Sequence, residues 1–316
     1  MCDHQHVPFR EGLPQLADEI FITDGGMETT LIFKNGLELP DFASFVLLDD
    51  AEGPEALRDY YATYVAIARE HGVGIILDTP TWRANSDWGS RLGYSAEDLS
   101  DVNRRAVALL EDLRAETADD PRLVISGCIG PRGDGYRVDE AMKPDAAERY
   151  HAPQIETFAD TSADLVSALT LTYADEAIGV VQAARVADIP AVISFTVETD
   201  GCLPDGQALG DAIDAVDEAT DGSAAYFMIN CAHPTHFERV LEGPWLERLR
   251  GLRANASSKS HAELDEANEL DSGDPLELAA LYATLRSRVP HLTVVGGCCG
   301  TDQRHIREIC AVAVAS

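Results

Sequence analysis

Three cysteines lie where two apolar runs of the sequence end, and their type and spacing suit a metal site. Cys231 follows the first run, and the adjacent Cys298 and Cys299 follow the second, about 67 residues later. Thiolate sulfur is a preferred ligand of Zn²⁺, and three protein ligands leave a fourth position open, as in catalytic rather than structural zinc sites. Neighbouring residues of a strand point to opposite faces, so both sulfurs of the pair reach one ion only if the chain turns, which the flanking glycines permit. The trio therefore predicts a zinc site with one exchangeable position.

The other cysteines and two nearby histidines have simpler interpretations. Seven cysteines, an odd number, argue against a secreted disulfide framework. A disulfide between the neighbours Cys298 and Cys299 would be badly strained, which disfavours a redox pair. His233 and His236 follow Cys231 closely, but three thiolates already suffice for zinc, so we interpret both as loop or helix-start residues. The remaining cysteines are predicted to be small core hydrophobes: Cys2, Cys128, Cys202 and Cys310.

The elements that must position these residues are short apolar runs alternating with helical patterns. The runs are continuously apolar, as expected of parallel strands buried on both faces, and they cover residues 20–23, 73–77, 123–126, 165–171, 191–195, 225–229, 249–253 and 292–295. Helical spacing, with Pro54 and Gly72 as end signals and Ser95 with Asp98 as a capping box, predicts helices over 54–71, 95–116, 145–159, 174–187, 208–219, 235–249, 275–288 and 302–314. This order, without a composition break, favours a single (β/α)₈ TIM barrel domain over residues 1–316 rather than a doubly wound sheet.

In such a barrel the active site lies at the carboxyl ends of the strands, so the residues that follow each strand are the site candidates. Asp24, Gly25 and Gly26 follow the first predicted strand, and Thr301 is expected to cap the last helix, whose positive end favours thiolates. Segment 255–274 is rich in Ser, Asp, Glu and Asn, which predicts a mobile loop or lid. Further rim residues could shape a pocket or equally be polar turn residues and packed aromatics: Thr79, Trp82, Arg83, Thr196 and Asn255.

On these motifs the chain resembles the homocysteine S-methyltransferase family. The matching segments are spread along nearly the whole sequence: Asp24-Gly25-Gly26-Met27, residues 127–131, Asp205-Gly206, Asn230-Cys231 and residues 296–300. The resemblance implies a (β/α)₈ barrel, Zn²⁺ bound by Cys231, Cys298 and Cys299, and methyl transfer to the sulfur of homocysteine. It also implies that Asp24 contacts the ammonium group of the amino-acid substrate.

Three thiolates have a physical rationale in such a reaction. A thiol must be ionised to attack a methyl group, yet too strong an electrophile would quench its nucleophilicity. Zinc that already carries three thiolates lowers the pKa of a bound thiol while the ligand charge keeps that sulfur electron-rich. Catalysis then consists mainly of ionisation and alignment with the methyl donor.

One position departs from the family pattern. Many members place a Glu-Thr pair at the end of the fourth strand, where the Glu helps to hold the substrate amino group, and this chain has Leu169-Thr170 there. We expect homocysteine still to bind, guided by Asp24. The alternatives are another thiol or selenol acceptor and a non-catalytic zinc-binding barrel. A zinc hydrolase is a weaker alternative, because a three-thiolate site is a poor choice for making hydroxide.

The charge of the chain excludes some classes of partner. The 55 acidic residues exceed the 24 basic ones, giving a net charge of −31, so nucleic acids and anionic membranes would repel this protein. The composition resembles that of proteins from salt-loving organisms. No leader-like start or membrane-length apolar run is present in the sequence, so we expect a cytoplasmic protein. Its expected partners are a small-molecule thiol acceptor and a free methyl donor, S-methylmethionine or S-adenosylmethionine rather than betaine; the sequence does not indicate an oligomeric state.

Overall fold

The computed structural model describes residues 8–17, 19–117, 121–138, 140–266 and 269–315. Eight parallel strands form a closed barrel in which each strand pairs with the next and the last pairs with the first. The strands are β1 (Phe21–Ile22), β2 (Gly74–Asp78), β3 (Leu123–Ile129), β4 (Leu165–Leu171), β5 (Ala191–Phe195), β6 (Tyr226–Asn230), β7 (Leu249–Ala254) and β8 (Val294–Gly297). The TIM-barrel prediction is confirmed, and each predicted run overlaps an observed strand.

Helices cover the outside of the barrel and connect successive strands. They are α1 (Met27–Phe33), α2 (Gly53–His71), α3 (Ser86–Arg91), α4 (Ala96–Thr117), α5 (Pro144–Ala159), α6 (Ala174–Val186), α7 (Leu209–Thr220), α8 (Pro234–Phe237), α9 (His261–Asp265), α10 (Pro275–Arg288) and α11 (Gln303–Ala315). The predicted capping box is confirmed, because Asp98 N donates to Ser95 Oγ over 3.2 Å and Ser95 N donates to the Asp98 carboxylate over 2.9 Å. Three short helices, α1, α3 and α9, were not predicted.

The predicted helix over residues 235–249 is wrong. Two short pieces replace it: α8 ends at Phe237, and a 3₁₀ turn spans Pro244–Arg248. Gly243 between them has a φ of 109°, which a helix does not allow, and Pro244 has no N–H to continue one. The Gly-Pro pair therefore overrides the helical spacing of the apolar residues on either side.

The barrel lumen changes from apolar to polar along its axis. Side chains of one alternating set cluster inside the barrel, closed at the amino end by Leu13: Phe21, Ile76, Val124, Leu165, Val192, Tyr226, Met228 and Val294. Nearer the carboxyl ends the strands carry polar groups, with Ser126 Oγ donating to Ser167 Oγ over 2.8 Å and Ser194 Oγ donating to Asn230 Oδ1 over 2.7 Å. The polar end is the one on which the predicted site residues converge.

Part of the predicted mobile segment is ordered by local capping. Ser260 and Glu263 form a reciprocal capping box at the start of α9, and Ser257 Oγ donates to Asp271 Oδ2 over 2.8 Å. Residues 267 and 268 of this segment lie outside the described residues, so its mobility stays a prediction. Within the described part of the chain, no helix has both the length and the apolar character needed to cross a membrane.

Candidate metal centre and substrate site

The three predicted ligands come together at the polar end of the barrel. Cys231 directly follows β6, Cys298 and Cys299 directly follow β8, and their sulfur atoms all lie within 4.8 Å of one another. Cys231 Sγ and Cys299 Sγ are 3.9 Å apart, close to the roughly 3.8 Å expected between two sulfurs on one tetrahedral zinc. Cys231 and Cys298 are paired as a disulfide, with Cα atoms 5.4 Å apart. Among the described residues, no other His, Cys, Asp or Glu joins this cluster, so the trio can hold a metal ion and leave a position open once it is reduced.

Cys231 is held in an unusual backbone conformation by its neighbours. Its φ is 54°, in the left-handed region that a residue with a side chain occupies only when its surroundings enforce it. Its N–H donates to the carbonyl oxygen of Arg253 over 3.1 Å. Its carbonyl oxygen accepts from His261 Nε2 over 2.7 Å, from Asn255 Nδ2 over 2.9 Å and from Thr196 Oγ1 over 3.4 Å. The bend that turns the Cys231 thiol towards the other two is thus fixed by four hydrogen bonds.

The Cys298-Cys299 turn is closed by Thr301 and by a close approach to Gly26. Thr301 donates to the carbonyl oxygen of Cys298 from its hydroxyl over 2.7 Å and from its backbone N–H over 3.1 Å. Gly300 has a φ of 79°, which confirms that a glycine is needed at this turn. A Cβ atom at Gly26 would lie only 2.6 Å from the carbonyl oxygen of Cys298. The glycines of the N-terminal motif therefore leave room for the turn that carries two of the sulfurs.

The prediction that Thr301 caps the last helix is wrong. Asp302 precedes α11, and its carboxylate accepts from the backbone N–H of Arg304 over 2.9 Å. The buried Asp302 side chain also pairs with Lys34 and His305. The Thr301 hydroxyl instead donates to the carbonyl oxygen of Cys298 and closes the turn.

A buried ion triad lies beside the cysteines. Asp24 follows β1, Asp78 ends β2, and Arg253 near the end of β7 pairs with both carboxylates. Arg253 Nε donates to the carbonyl oxygen of Gly297 over 3.1 Å, and Tyr60 Oη donates to Asp24 Oδ2 over 2.9 Å. All of these side chains are buried. The predicted substrate residue Asp24 is therefore fixed in place by protein partners on both oxygens.

Burial and charge act together on the triad. Burial raises the pKa of Asp24 from 3.8 to about 6, and Asp78 adds to the rise while Arg253 opposes it. Burial alone would lower the pKa of Arg253, but the two carboxylates hold it above its ordinary value. Two buried carboxylates thus share one guanidinium. Asp24 therefore binds a proton more readily than an exposed aspartate would.

The other predicted rim residues make hydrogen bonds within the protein. Thr79 Oγ1 accepts from the backbone N–H of Cys128 over 2.9 Å, and Trp82 Nε1 donates to the carbonyl oxygen of Leu169 over 3.2 Å. The carbonyl of Gly25 accepts from Tyr60 Oη over 3.2 Å. Thr196 and Asn255 both hold the carbonyl of Cys231, as described above. Their direct contact with substrate stays a prediction.

Two side chains that were not predicted as site residues contact the cysteines. Tyr136 Oη lies 3.6 Å from Cys299 Sγ, and the Tyr136 ring stacks on His261 with centroids 4.1 Å apart. His261 Nδ1 lies 3.3 Å from Glu198 Oε1. Burial raises the pKa of the Cys299 thiol, and the hydrogen bond with Tyr136 opposes that rise. Tyr136 lies on a loop and His261 is the first residue of the short helix α9, so neither belongs to a periodic pattern that would have placed it here.

The end of β4 carries no carboxylate. Leu169 is buried, and Thr170 has a φ of 63° and two hydrogen bonds with Asn230. Thr170 N donates to Asn230 Oδ1 over 2.9 Å, and Asn230 Nδ2 donates to Thr170 Oγ1 over 2.8 Å. The residue after Leu169 is thus tied to Asn230, the residue before Cys231.

Most of the remaining cysteine and histidine predictions are confirmed. Cys128 and Cys310 are buried, whereas Cys202 is half-buried in a bridge with Ala208 and is not a core residue. Cys2 lies outside the described residues. His233 precedes α8 and His236 lies within it, where His236 Nε2 donates to the carbonyl of Ser258 over 2.9 Å.

The fold and site define a class of protein, a parallel eight-stranded barrel with a cysteine trio able to bind a metal at its carboxyl end. Residues 21–313 match the family model described as homocysteine S-methyltransferase. The chain belongs to the homocysteine S-methyltransferase family.

Named relatives are similar over most of the chain. The homocysteine S-methyltransferase YbgG of Bacillus subtilis is 24% identical over 93% of this chain and 94% of its own length. The homocysteine S-methyltransferase of Escherichia coli is 27% identical over 66% of this chain and 68% of its own length. Among solved structures, the homocysteine methyltransferase MmuM from Escherichia coli superposes with a TM-score of 0.73 in its oxidized form, at 22% identity, covering 93% of this chain and 96% of that one. Its metallated form gives a TM-score of 0.71 at 21% identity, with the same coverage.

Proposed function

We propose that this protein is a zinc-dependent methyltransferase that moves a methyl group from a small sulfonium compound to the thiolate of homocysteine, forming methionine. The observation that carries the proposal is the convergence of three cysteine sulfurs within 4.8 Å at the carboxyl end of the barrel. Membership of the family supports the reaction class, and the existence of a metallated form of the similar protein MmuM supports a bound metal.

The donor set fits zinc. Three soft thiolates suit Zn²⁺ better than Mg²⁺ or Ca²⁺, which prefer oxygen ligands. Cys231, Cys298 and Cys299 would hold the ion, which when bound would supply the positive charge that favours the ionised form of an acceptor thiol. No fourth His, Cys, Asp or Glu among the described residues reaches the trio, which favours a catalytic site over a closed structural or storage site.

The residues around the trio would bind and orient the acceptor. Asp24 would receive its ammonium group, with Arg253 and Tyr60 holding the carboxylate in one orientation. Its pKa of about 6 leaves most of it ionised at neutral pH. Tyr136 and His261 would shield the sulfurs from water on one side. Orientation of this kind supplies much of the rate enhancement of a displacement reaction.

The methyl donor is proposed to be S-methylmethionine or S-adenosylmethionine. In either compound the methyl group is bonded to a cationic sulfur, which leaves as a neutral thioether. The acceptor thiolate forms the new sulfur–carbon bond with its own electron pair, and the pair of the broken bond stays on the donor sulfur. Apart from the zinc, this reaction requires no activating cofactor, so the zinc-loaded barrel itself would be the catalytic unit.

An assay of methionine formation tests the proposal. Reduced, zinc-loaded protein should form methionine from homocysteine with one of the two sulfonium donors. Replacing any one of the three ligands, as in Cys231→Ala, Cys298→Ala or Cys299→Ala, should abolish the reaction and the bound zinc together. Cys310→Ala is the matched control, because Cys310 is buried in α11 away from the trio. Full activity after complete metal removal would contradict the proposal.

A second acceptor is favoured by one observation. Leu169 stands where many family members have a Glu, so one carboxylate for the substrate amino group is missing. Another small thiol, or a selenol, could then replace homocysteine with the same chemistry. Calorimetric titration of the zinc-loaded protein with a panel of thiols separates the two: tight binding of another thiol without binding of homocysteine would favour this second candidate.

A further inference from the structure

Arg83 is a buried cation beside the candidate site. It lies on the loop after β2, and its side chain is only 7% exposed. The guanidinium lies between two indole rings, 4.0 Å from the centroid of Trp82 and 3.7 Å from that of Trp88. One terminal nitrogen donates to the carbonyl oxygen of Gly133 over 3.0 Å. The planar group is thus held rigidly in one orientation.

The charge of Arg83 has no counter-ion in direct contact. The other two buried arginines of the described chain both form ion pairs, Arg114 with Asp164 and Arg253 with Asp24 and Asp78. No described carboxylate lies within 4.0 Å of Arg83, and its buried Nε has no hydrogen-bond partner. Burial lowers the pKa of Arg83 to about 10, although the carboxylates of Asp134, Glu28 and Asp41 oppose this shift from beyond direct contact. Because a desolvated charge is costly unless it is paired, this guanidinium is arranged to receive an anion.

Arg83 and the cysteine trio face common neighbours. The segment after β3 lies against both groups, because the Gly133 carbonyl accepts from Arg83 over 3.0 Å and Tyr136 follows three residues later. Tyr136 Oη itself lies 3.6 Å from Cys299 Sγ. Trp82, on which Arg83 stacks, donates to the carbonyl of Leu169, the position where the family carboxylate is missing. The side of the site formed by Trp82 and Tyr136 therefore carries the positive charge of Arg83.

The shape of the free edge identifies the kind of anion. The Nε atom and the second terminal nitrogen of Arg83 donate to no described residue, and together they form one planar edge of two parallel N–H groups. This edge matches the two oxygens of a carboxylate. Both proposed substrates of the reaction, homocysteine and a methionine-derived sulfonium donor, carry an α-carboxylate. We propose that Arg83 binds the carboxylate of one of these amino-acid substrates and selects for it.

This inference rests on the proposed function for the reaction, but direct binding measurements test it separately. The test compares ligand pairs that differ only in the carboxylate, by calorimetry with the reduced, zinc-loaded protein. One pair is homocysteine and 3-aminopropane-1-thiol; the other is S-methylmethionine and (3-aminopropyl)dimethylsulfonium. In one pair, the wild-type protein should bind the carboxylate-bearing ligand about 10- to 100-fold more tightly, as expected for a charge-assisted hydrogen-bonded pair. The pair that shows this difference identifies the source of the carboxylate as acceptor or donor.

Variants of Arg83 test whether this residue causes the higher affinity for the carboxylate-bearing ligand. In Arg83→Gln the preference should fall to near unity, with unchanged affinity for the ligand that lacks the carboxylate, and Arg83→Lys should recover part of the preference. Arg105→Gln, an exposed arginine outside the site, should keep the full preference. Because the wild-type comparison needs no variant, a poorly folding Arg83→Gln would not remove the test.

Two results would overturn the inference. One is equal affinity of the wild-type protein for both members of both pairs. The other is an equal loss of affinity for both members in folded Arg83→Gln, which would indicate a structural role. If the carboxylate preference depends on Arg83 but no methionine forms, the proposed function fails and the carboxylate site stands.

Discussion

Arg253 Nε donates to the carbonyl oxygen of Gly297 over 3.1 Å, and Gly297 immediately precedes the Cys298-Cys299 pair. The backbone carbonyl of the same arginine accepts the N–H of Cys231 over 3.1 Å. One residue of β7 therefore contacts the backbone beside all three candidate metal ligands, while its side chain also pairs with Asp24 and Asp78. Arg253 therefore holds both the candidate metal ligands and Asp24, the residue predicted to bind the substrate.

Removal of that support should destabilise the protein strongly. Arg253→Met leaves the buried carboxylates of Asp24 and Asp78 without a counter-ion, and the expected loss is about 3–5 kcal/mol of the free energy of unfolding. Arg105→Met removes surface pairs with Asp49 and Asp101 and one hydrogen bond to the carbonyl of Leu48, for which a smaller loss of about 1–2 kcal/mol is expected. Urea unfolding of both variants at one salt concentration measures the difference. Equal losses of unfolding free energy in the two variants would show that the buried triad stabilises the protein no more than the contacts of Arg105 do.

The raised pKa of Asp24 predicts a pH dependence of stability with a definite sign. The folded protein holds this proton more tightly, because burial raises the pKa from 3.8 to about 6. The contribution of Asp24 to the free energy of unfolding therefore falls as the pH rises between these two values and is constant outside them. Asp24→Asn lacks this contribution, so the wild-type value minus the variant value should fall with pH by up to about 1.4 kcal/mol per unit within the window.

Urea unfolding at about pH 4.5, 5.5 and 7.5 measures this slope. Asp49 provides a control of opposite sign, because its pKa is lowered: hydrogen bonds from Tyr94 and Arg105 outweigh the effect of burial. The difference between the wild type and Asp49→Asn should rise with pH through the acid range. A difference for Asp24→Asn that stays constant or rises between about pH 4.5 and 5.5 would contradict the assignment.

Gly26 should be sensitive to a single methyl group. In Gly26→Ala the new Cβ would lie 2.6 Å from the carbonyl oxygen of Cys298, so the turn that carries two of the sulfurs must shift. Overpacking of this kind costs about 1–3 kcal/mol of stability, and the variant should also bind zinc more weakly. Gly12→Ala, with no atom within 4 Å of the added methyl group, should change neither property. Metal titration against a competing chelator measures the zinc affinity of both variants. Wild-type affinity in Gly26→Ala would show that the Cys298 turn does not depend on Gly26.

The sequence was sufficient for the barrel because each strand is a continuous apolar run between turn residues. The failure at residues 235–249 has a local cause, since Gly243 and Pro244 interrupt a pattern that otherwise has helical spacing. The short helix α1 follows the glycines of the first motif, and its Thr29 hydroxyl accepts from the backbone N–H of Gly300 over 3.3 Å. Its seven residues are too few to give a periodic signal.

The site was predictable only in part, for reasons of tertiary structure. The cysteine trio could be found because glycines mark a turn beside the adjacent pair. Arg253 and Asp78 are opposite charges within two apolar strand runs, a signal that could have predicted their pairing. Tyr136 contacts Cys299 from the connection after β3, and His261 contacts Tyr136 and the Cys231 carbonyl from the connection after β7, so only the closed barrel brings them together. Likewise, no spacing reveals that Asn255 supports the Cys231 backbone.

The most direct test of the account is zinc X-ray absorption spectroscopy of the reduced, zinc-loaded protein, recorded with and without homocysteine. The account predicts three sulfur neighbours at about 2.3 Å in the protein alone and four when homocysteine is present. Cys299→Ala should abolish zinc binding and with it the zinc signal. A zinc ion with four protein ligands that does not change on addition of homocysteine, or one without cysteine sulfur, would contradict the central claim.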